Sequence, residues 1–318
     1  MLSPSLDDIR AAQERLAGHL HITPLLSSRT IATLAGVQTA SLKCESLQKT
    51  GSFKVRGALN AVLQLDQAAR ARGVVTVSAG NHAQALAWSA ASVGVACTVV
   101  MPAMASESKA AASAGYGATV IRHGTSAEAF AKADELAATE GFTLVPPFDD
   151  YAIIAGAGTV GLEILDQQPD VDVIVVPIGG GGLISGIAAA VKRAKPAIKV
   201  IGVEPEGAAA MRRSLDAGKP VRLDALQTIA DGLAAPFAGQ VTYPIVRDLV
   251  DDVVLVSDAE IAQAISALLS RAKLLAEGAG AAATAALLAH RTAIPSDARV
   301  VSLLSGGNID LGRLKEFI

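Results

Sequence analysis

A chain of 318 residues is long enough for about two domains of ordinary size, and with 51% hydrophobic but only 3% aromatic residues its core has to be built from Ala, Val, Leu and Ile. A net charge of −3 without a basic patch argues against a nucleic-acid partner. Two cysteines, Cys44 and Cys97, without CxxC spacing indicate neither a zinc site nor a disulfide framework, and both read as buried small apolar residues.

The N-terminus lacks the apolar stretch of a signal peptide and carries Asp7 and Asp8 early, so a cytoplasmic protein is expected. Ser5-Leu6-Asp7-Asp8 has the spacing of a capping box, and Ile9, Ala12 and Leu16 follow at helical intervals. His19 to Pro24 reads as a turn-rich lead-in, its histidines as surface residues, and Thr39 to Glu45 as a strand. Then comes Lys49-Thr50-Gly51-Ser52-Phe53-Lys54-Val55-Arg56-Gly57, just ahead of the apolar run Ala58, Leu59, Ala61, Val62, Leu63, Leu65. That spacing predicts a helix with Lys54 at or near its first turn, where the helix dipole disfavours a cation. A lysine so placed suits a nearby phosphate or a Schiff base with a carbonyl. The plainer alternative is a solvated first-turn side chain.

From Gly73 strands and helices alternate. Expected strands over 74–77, 97–101, 118–121 and 143–145 are separated by expected helices over 83–93, 107–114 and 127–139, and Pro146-Pro147 marks the edge of this block. A second series holds a helix over 153–165 and strands over 171–176, 199–203, 253–256 and 299–303, with a capping box at Ser257-Asp258-Ala259-Glu260. Gly207 to Pro244 has weaker periodicity. Val173 to Val191 is uncharged and nearly long enough to cross a bilayer, but Pro177 and the glycines from Gly179 to Gly182 break it into strand, loop and helix. The fold class expected is α/β, with two open, mostly parallel twisted sheets flanked by helices and a cleft between them. Residues 73–148 would form a small inserted domain, and residues 1–72 with 149–318 the large one.

Ligands of such sheets bind beyond the carboxyl ends of the strands, and three glycine turns fall there. Gly179-Gly180-Gly181-Gly182-Leu183 lets backbone N–H groups converge on an anion without side-chain obstruction, although it matches neither a P-loop nor GxGxxG. Ser78-Ala79-Gly80-Asn81-His82 can hold a substrate carboxylate on its amides. Ser305-Gly306-Gly307-Asn308 follows the last strand.

Together Lys54 and these turns resemble the pyridoxal-phosphate enzymes of the tryptophan synthase β-type fold, and among them the catabolic threonine and serine dehydratases. Gln48 to Gly57, Ser78 to Gln84, Pro146 to Asp150, Ile154 to Thr159, Pro177 to Leu183, Glu277 to Ala281 and Ser305 to Asn308 carry the resemblance in order along nearly the whole chain. It implies that Lys54 holds the cofactor as a Schiff base and Phe53 packs beside the ring. Asn81 would bond the ring hydroxyl, Gly179 to Leu183 the phosphate, and Ser305 would face the pyridine nitrogen. Glu277 would lie near the ring, although by itself it reads as a helix cap. A homo-oligomer, dimer or tetramer, and no membrane partner are implied as well. Biosynthetic relatives append a regulatory domain, for which the ten residues after Asn308 leave no room.

The activity so implied is elimination of water and ammonia from L-threonine or L-serine, or from another 3-hydroxy amino acid such as threo-3-hydroxyaspartate. A racemase is the alternative within the fold, and a binding module without catalysis is the alternative outside it. Serine racemases of similar sequence place a serine where this chain has Ala79. No metal is expected: related enzymes use a Glu and an Asp near Glu204, but Ala210 stands where the second carboxylate belongs.

Overall fold

The computed structural model of the protein describes residues 3–317; Met1, Leu2 and Ile318, which the domain ranges above include, lie outside the described residues. The strands are β1 (Leu25–Ser27), β2 (Thr39–Cys44), β3 (Val74–Val77), β4 (Cys97–Met101), β5 (Thr119–Arg122), β6 (Thr143–Leu144), β7 (Val173–Pro177), β8 (Lys199–Pro205), β9 (Asp252–Val256) and β10 (Arg299–Leu304). They form a six-stranded sheet in the order β1-β2-β10-β7-β8-β9 and a four-stranded sheet in the order β5-β4-β3-β6. Every pairing is parallel except β1 on β2. Helices cover parallel sheets on both faces, which is why β3, β4 and β7 are apolar runs buried at every position and show no alternation.

The expected capping boxes are present: Ser5 with Asp8 opens the helix Leu6–Leu16, and Ser257 with Glu260 opens Asp258–Ala267. The helix expected from Ser185 starts earlier, at Gly182, because glycines add nothing to an apolar period. Within the stretch of weak periodicity lie the helix Ala210–Ala217 and the first residues of Thr242–Leu249. Gly278–Leu288 is an alanine-rich helix buried from Gly278 to Leu287. With all sides apolar it has no stripe for a periodicity reading to find.

The last strand in sequence, β10, lies between β2 and β7. Its register sets Leu304 beside Cys44, so the segments leaving both strands emerge side by side. They stay together: Phe53 N–H donates to the Ser305 carbonyl at 3.0 Å, and Ser52 bridges to Gly306. The helix Lys54–Leu63 is thereby held over the carboxyl end of the large sheet.

Arg56, 2% exposed, anchors this helix in the interior. Its Nε and one terminal nitrogen each donate to Glu45 at 2.8 Å, and its terminal nitrogens donate to Glu163 at 2.6 and 2.9 Å. Lys43 donates to Glu163 at 2.6 Å and Thr23 to Glu45 at 2.5 Å. Burial alone would raise the Glu45 carboxyl, but the Arg56 charge and hydrogen bonds outweigh it and hold it below the ordinary carboxylate range. Two cations and two anions thus offset one another inside the protein, a condition that buried charge requires.

Candidate active site

A cleft at the carboxyl end of the large sheet is lined by Phe53, Lys54, Phe148, Pro177, Gly179 to Gly182, Leu183, Gly232, Leu233 and Ser305. Lys54 is the first residue of its helix, and Nζ donates to the Pro147 carbonyl at 2.8 Å, 5.1 Å from the centre of the Phe53 ring. No carboxylate lies within ion-pairing distance of it among the described residues. Burial therefore dominates and lowers its pKa from 10.5 to about 8, with Glu277 acting weakly in the other direction. Near neutral pH a usable fraction of this amine is unprotonated.

Across the cleft the glycine run turns from β7 into the helix Gly182–Ala194. Among the described residues the N–H groups from Gly179 to Leu183 meet no acceptor in the protein; helical bonding begins with Ser185 on the Gly181 carbonyl. Gly181 has φ +95, a left-handed conformation that side chains disfavour. A Cβ on Gly180 would lie 2.3 Å from the Phe148 ring. Free amides at the head of a 13-residue helix are suited to receive an anion.

The turn at Ser78 to His82 opens the helix Asn81–Ser92. The Ser78 hydroxyl accepts from Gly80 N–H at 3.2 Å, and Ala79 packs on the core of the small-sheet unit. His82 is buried, its Nε2 3.0 Å from the Val145 carbonyl. Burial, with the Lys54 charge, pushes its pKa down to about 3, so the imidazole is neutral and Nε2 is the donor. Asn81 Nδ2 donates to Glu277 Oε1 at 2.5 Å, and the Ser305 hydroxyl to the Ala279 carbonyl at 3.2 Å. Glu277 does stand at the cap position of Gly278–Leu288, but its side chain makes no capping bond and turns to Asn81 instead. Burial raises its pKa to about 7 against the pull of that hydrogen bond.

A family model described as pyridoxal-phosphate dependent enzyme matches residues 16–306. This chain belongs to that family. It is 45% identical over 317 residues to the L-threonine dehydratase catabolic TdcB of Escherichia coli (strain K12), covering 99% of this chain and 96% of that one. Among solved structures it is similar to the T.th. threonine deaminase, with TM-score 0.92, 43% identity, and coverage of 97% and 99% of the two chains. It is also similar to maize serine racemase, with TM-score 0.95, 40% identity, and coverage of 99% and 96%.

The residues present fit pyridoxal phosphate. The cleft pairs a desolvated amine for the aldehyde carbon with unbonded amides and no side chains where a phosphate belongs. Between them Ser305 offers a hydroxyl. Phe53, Lys54, the glycine run, Leu183 and Ser305 all line this one cleft, whereas Asn81 and Glu277 adjoin it through Gly306, whose added Cβ would lie 2.3 Å from Glu277 Oε1 and 3.3 Å from Asn81 Nδ2.

The sequence reading gave several supporting residues no role. Phe148 lies against the glycine run, and the neighbouring Asp149 accepts from the N–H groups of Gln240 and Val241 at 2.8 Å and of Thr242 at 3.2 Å. Thr242 in turn donates to the Gly180 carbonyl at 2.7 Å. The sequence marked Phe148 and Asp149 by the Pro146-Pro147 break before them and as part of the resemblance. Glu204 is fully buried and caps the helix Ala210–Ala217, accepting from Met211 at 2.8 Å and Arg212 at 2.7 Å. Among the described residues no group of His, Cys, Asp and Glu is arranged to hold a metal ion, and no helix is long and apolar enough to cross a membrane.

Proposed function

We propose that the protein is a pyridoxal-phosphate-dependent ammonia-lyase that converts L-threonine, L-serine or both to a 2-oxo acid and ammonia. The observation that carries this proposal is the pairing in one cleft of the desolvated Lys54 amine with the amide-lined run from Gly179 to Leu183. The threonine dehydratase and threonine deaminase relatives support it.

Pyridoxal phosphate, when bound, supplies a sink for the electron pair left at the substrate Cα. Phe53 would pack beside the ring and the glycine run would hold the phosphate. Asn81 would bond the ring hydroxyl with Glu277 behind it, and Ser305 would turn its hydroxyl from the Ala279 carbonyl to the pyridine nitrogen. A serine hydroxyl would hydrogen-bond that nitrogen without protonating it, so the group would act as a weaker electron sink, suited to elimination. The turn from Ser78 to His82 receives the substrate carboxylate on its amides at the start of the helix Asn81–Ser92. Lys54, with a pKa of about 8, takes the α-proton and can give it up again near neutral pH. The proton that Lys54 gives up would leave with the β-hydroxyl as water, and the released enamine would take up water to give the 2-oxo acid and ammonia.

Racemisation is the second reading, favoured by the similarity to maize serine racemase. It needs an acid on the face opposite Lys54, and Ala79, which we place there, has only a methyl group. The four-stranded unit corresponds to an inserted domain over 73–148, and assembly as a homo-oligomer is part of the same proposal.

Adding L-threonine and L-serine to the purified protein, and following the cofactor absorption band together with 2-oxo acid release, tests the proposal. Oxo acid from either substrate is expected. A spectral change without oxo acid would leave a binding module, and D-serine as the main product would leave a racemase.

A further inference from the structure

Asn308 stands at the meeting point of three segments: the stretch entering Lys54, the loop after β10 and the start of the helix Asn81–Ser92. Its Nδ2 donates to the Thr50 carbonyl at 2.7 Å and to Asn81 Oδ1 at 2.8 Å. The chain bends to permit this. Thr50 takes φ 60, unusual for a non-glycine residue, and Gly51 takes φ 73 with its open face so close to Asn308 that a Cβ there would lie 2.3 Å from Oδ1.

The two ends of an asparagine amide have the same shape, so only their partners decide which end faces where. The Thr50 carbonyl can only accept, which fixes the Asn308 NH2 group on that side. The second hydrogen of the same NH2 then meets Asn81, which must present its oxygen. Asn81 Nδ2 is left to face Glu277 Oε1 at 2.5 Å, where a carboxyl oxygen accepts from it. Every bond from the Thr50 carbonyl to the Glu277 carboxylate agrees in direction, and reversing the bond between Asn308 and Asn81 reverses the one between Asn81 and Glu277 with it.

We propose that Asn308 is a positioning residue that sets the direction of the Asn81 amide, so that Asn81 donates to Glu277 and keeps its oxygen turned away from it. The value of this for cofactor binding rests on the functional reading above, in which Asn81 and Glu277 face the ring. The direction of the relay itself does not.

A set of substitutions separates direction from mere tethering. Asn308→Asp keeps the shape but turns the donor into an acceptor, so Asn81 has to swing its NH2 toward position 308 and its oxygen toward the Glu277 carboxylate. Adding Glu277→Gln supplies an NH2 that this oxygen can accept from, closing the relay from position 308 to 277 in the opposite direction, while the Thr50 carbonyl stays without its donor as it does in Asn308→Ala. Thermal unfolding of the purified protein is read with and without added pyridoxal phosphate, and cofactor affinity by equilibrium dialysis. Glu277→Gln is expected to raise Tm several degrees more in the Asn308→Asp background than in the wild type or in Asn308→Ala. Asn308→Asp should weaken cofactor binding by about tenfold, and the double variant should recover most of it. Equal gains from Glu277→Gln in all three backgrounds would overturn the proposal, since a simple tether has no direction. Unequal gains with unchanged cofactor affinity would uphold the relay and count instead against Asn81 facing the ring.

Discussion

Replacing Lys54 with Met should end turnover and at the same time stabilise the cofactor-free protein at pH 7. In the folded state the amine's pKa falls from 10.5 to about 8, chiefly through burial. Converted at about 1.4 kcal/mol per tenfold change in proton affinity, this shift corresponds to about 3 kcal/mol lost from stability at neutral pH. Methionine removes that cost but leaves the Pro147 carbonyl without its donor, which returns about 1 kcal/mol. The net gain is about 2 kcal/mol at most, because the side chain is half-buried and solvent softens both effects, and for a chain of this size it amounts to about 4 °C in Tm. The sign depends on pH. Between about 8 and 10.5 the unfolded chain holds a proton that the folded protein has lost, so wild-type stability rises with pH across that window. The advantage of Lys54→Met is therefore full below pH 8 and gone by pH 10.5. Urea unfolding of both proteins stripped of cofactor, at pH 7 and pH 10, measures it; stripping matters because bound cofactor would stabilise only the wild type. A variant less stable at pH 7, or an advantage that does not shrink with pH, would refute the desolvated-amine account.

Three further outcomes are expected. Arg56→Met should leave Glu45 and Glu163 buried without their common partner and cost about 3 kcal/mol or more, read as a lowered urea midpoint, whereas an unchanged midpoint would mean the network contributes no stability. Gly180→Ala should weaken cofactor binding by about tenfold or more and lower the urea midpoint by about 1–3 kcal/mol of stability, since the added Cβ drives the Phe148 ring from its place beside the amides; full affinity in this variant would remove the glycine run as the phosphate site. Ala79→Ser should raise D-serine formation from L-serine, measured by chiral chromatography beside pyruvate release, by supplying a hydroxyl on the face we propose to lie opposite Lys54. Abundant D-serine from the unaltered protein would instead reverse the choice of lyase over racemase.

The sequence by itself determined what local periodicity and local chemistry can carry. The alternation of apolar β-branched runs with helical stretches gave the parallel α/β class, and the strands expected over 74–77 and 97–101 are β3 and β4 to the residue. The apolar run after Gly57 placed Lys54 on a first turn, and four consecutive glycines after a strand marked the turn into the next helix. Tertiary structure decided everything that depends on which distant segments meet. Strand order is the clearest case: β10 lies between β2 and β7, and only that arrangement sets Ser305 beside the segment that carries Lys54. Arg56 sat in plain view two residues from Lys54, yet its burial became visible only when Glu45 and Glu163 were seen to converge on it from other elements. The helix Gly278–Leu288 was signalled only by the cap position of Glu277, since a segment buried on all sides carries no stripe. Glu277 shows why the site itself needed coordinates. Its local context favours a helix cap, which short-range hydrogen bonding would supply, but packing brings Asn81 to 2.5 Å and the long-range bond wins.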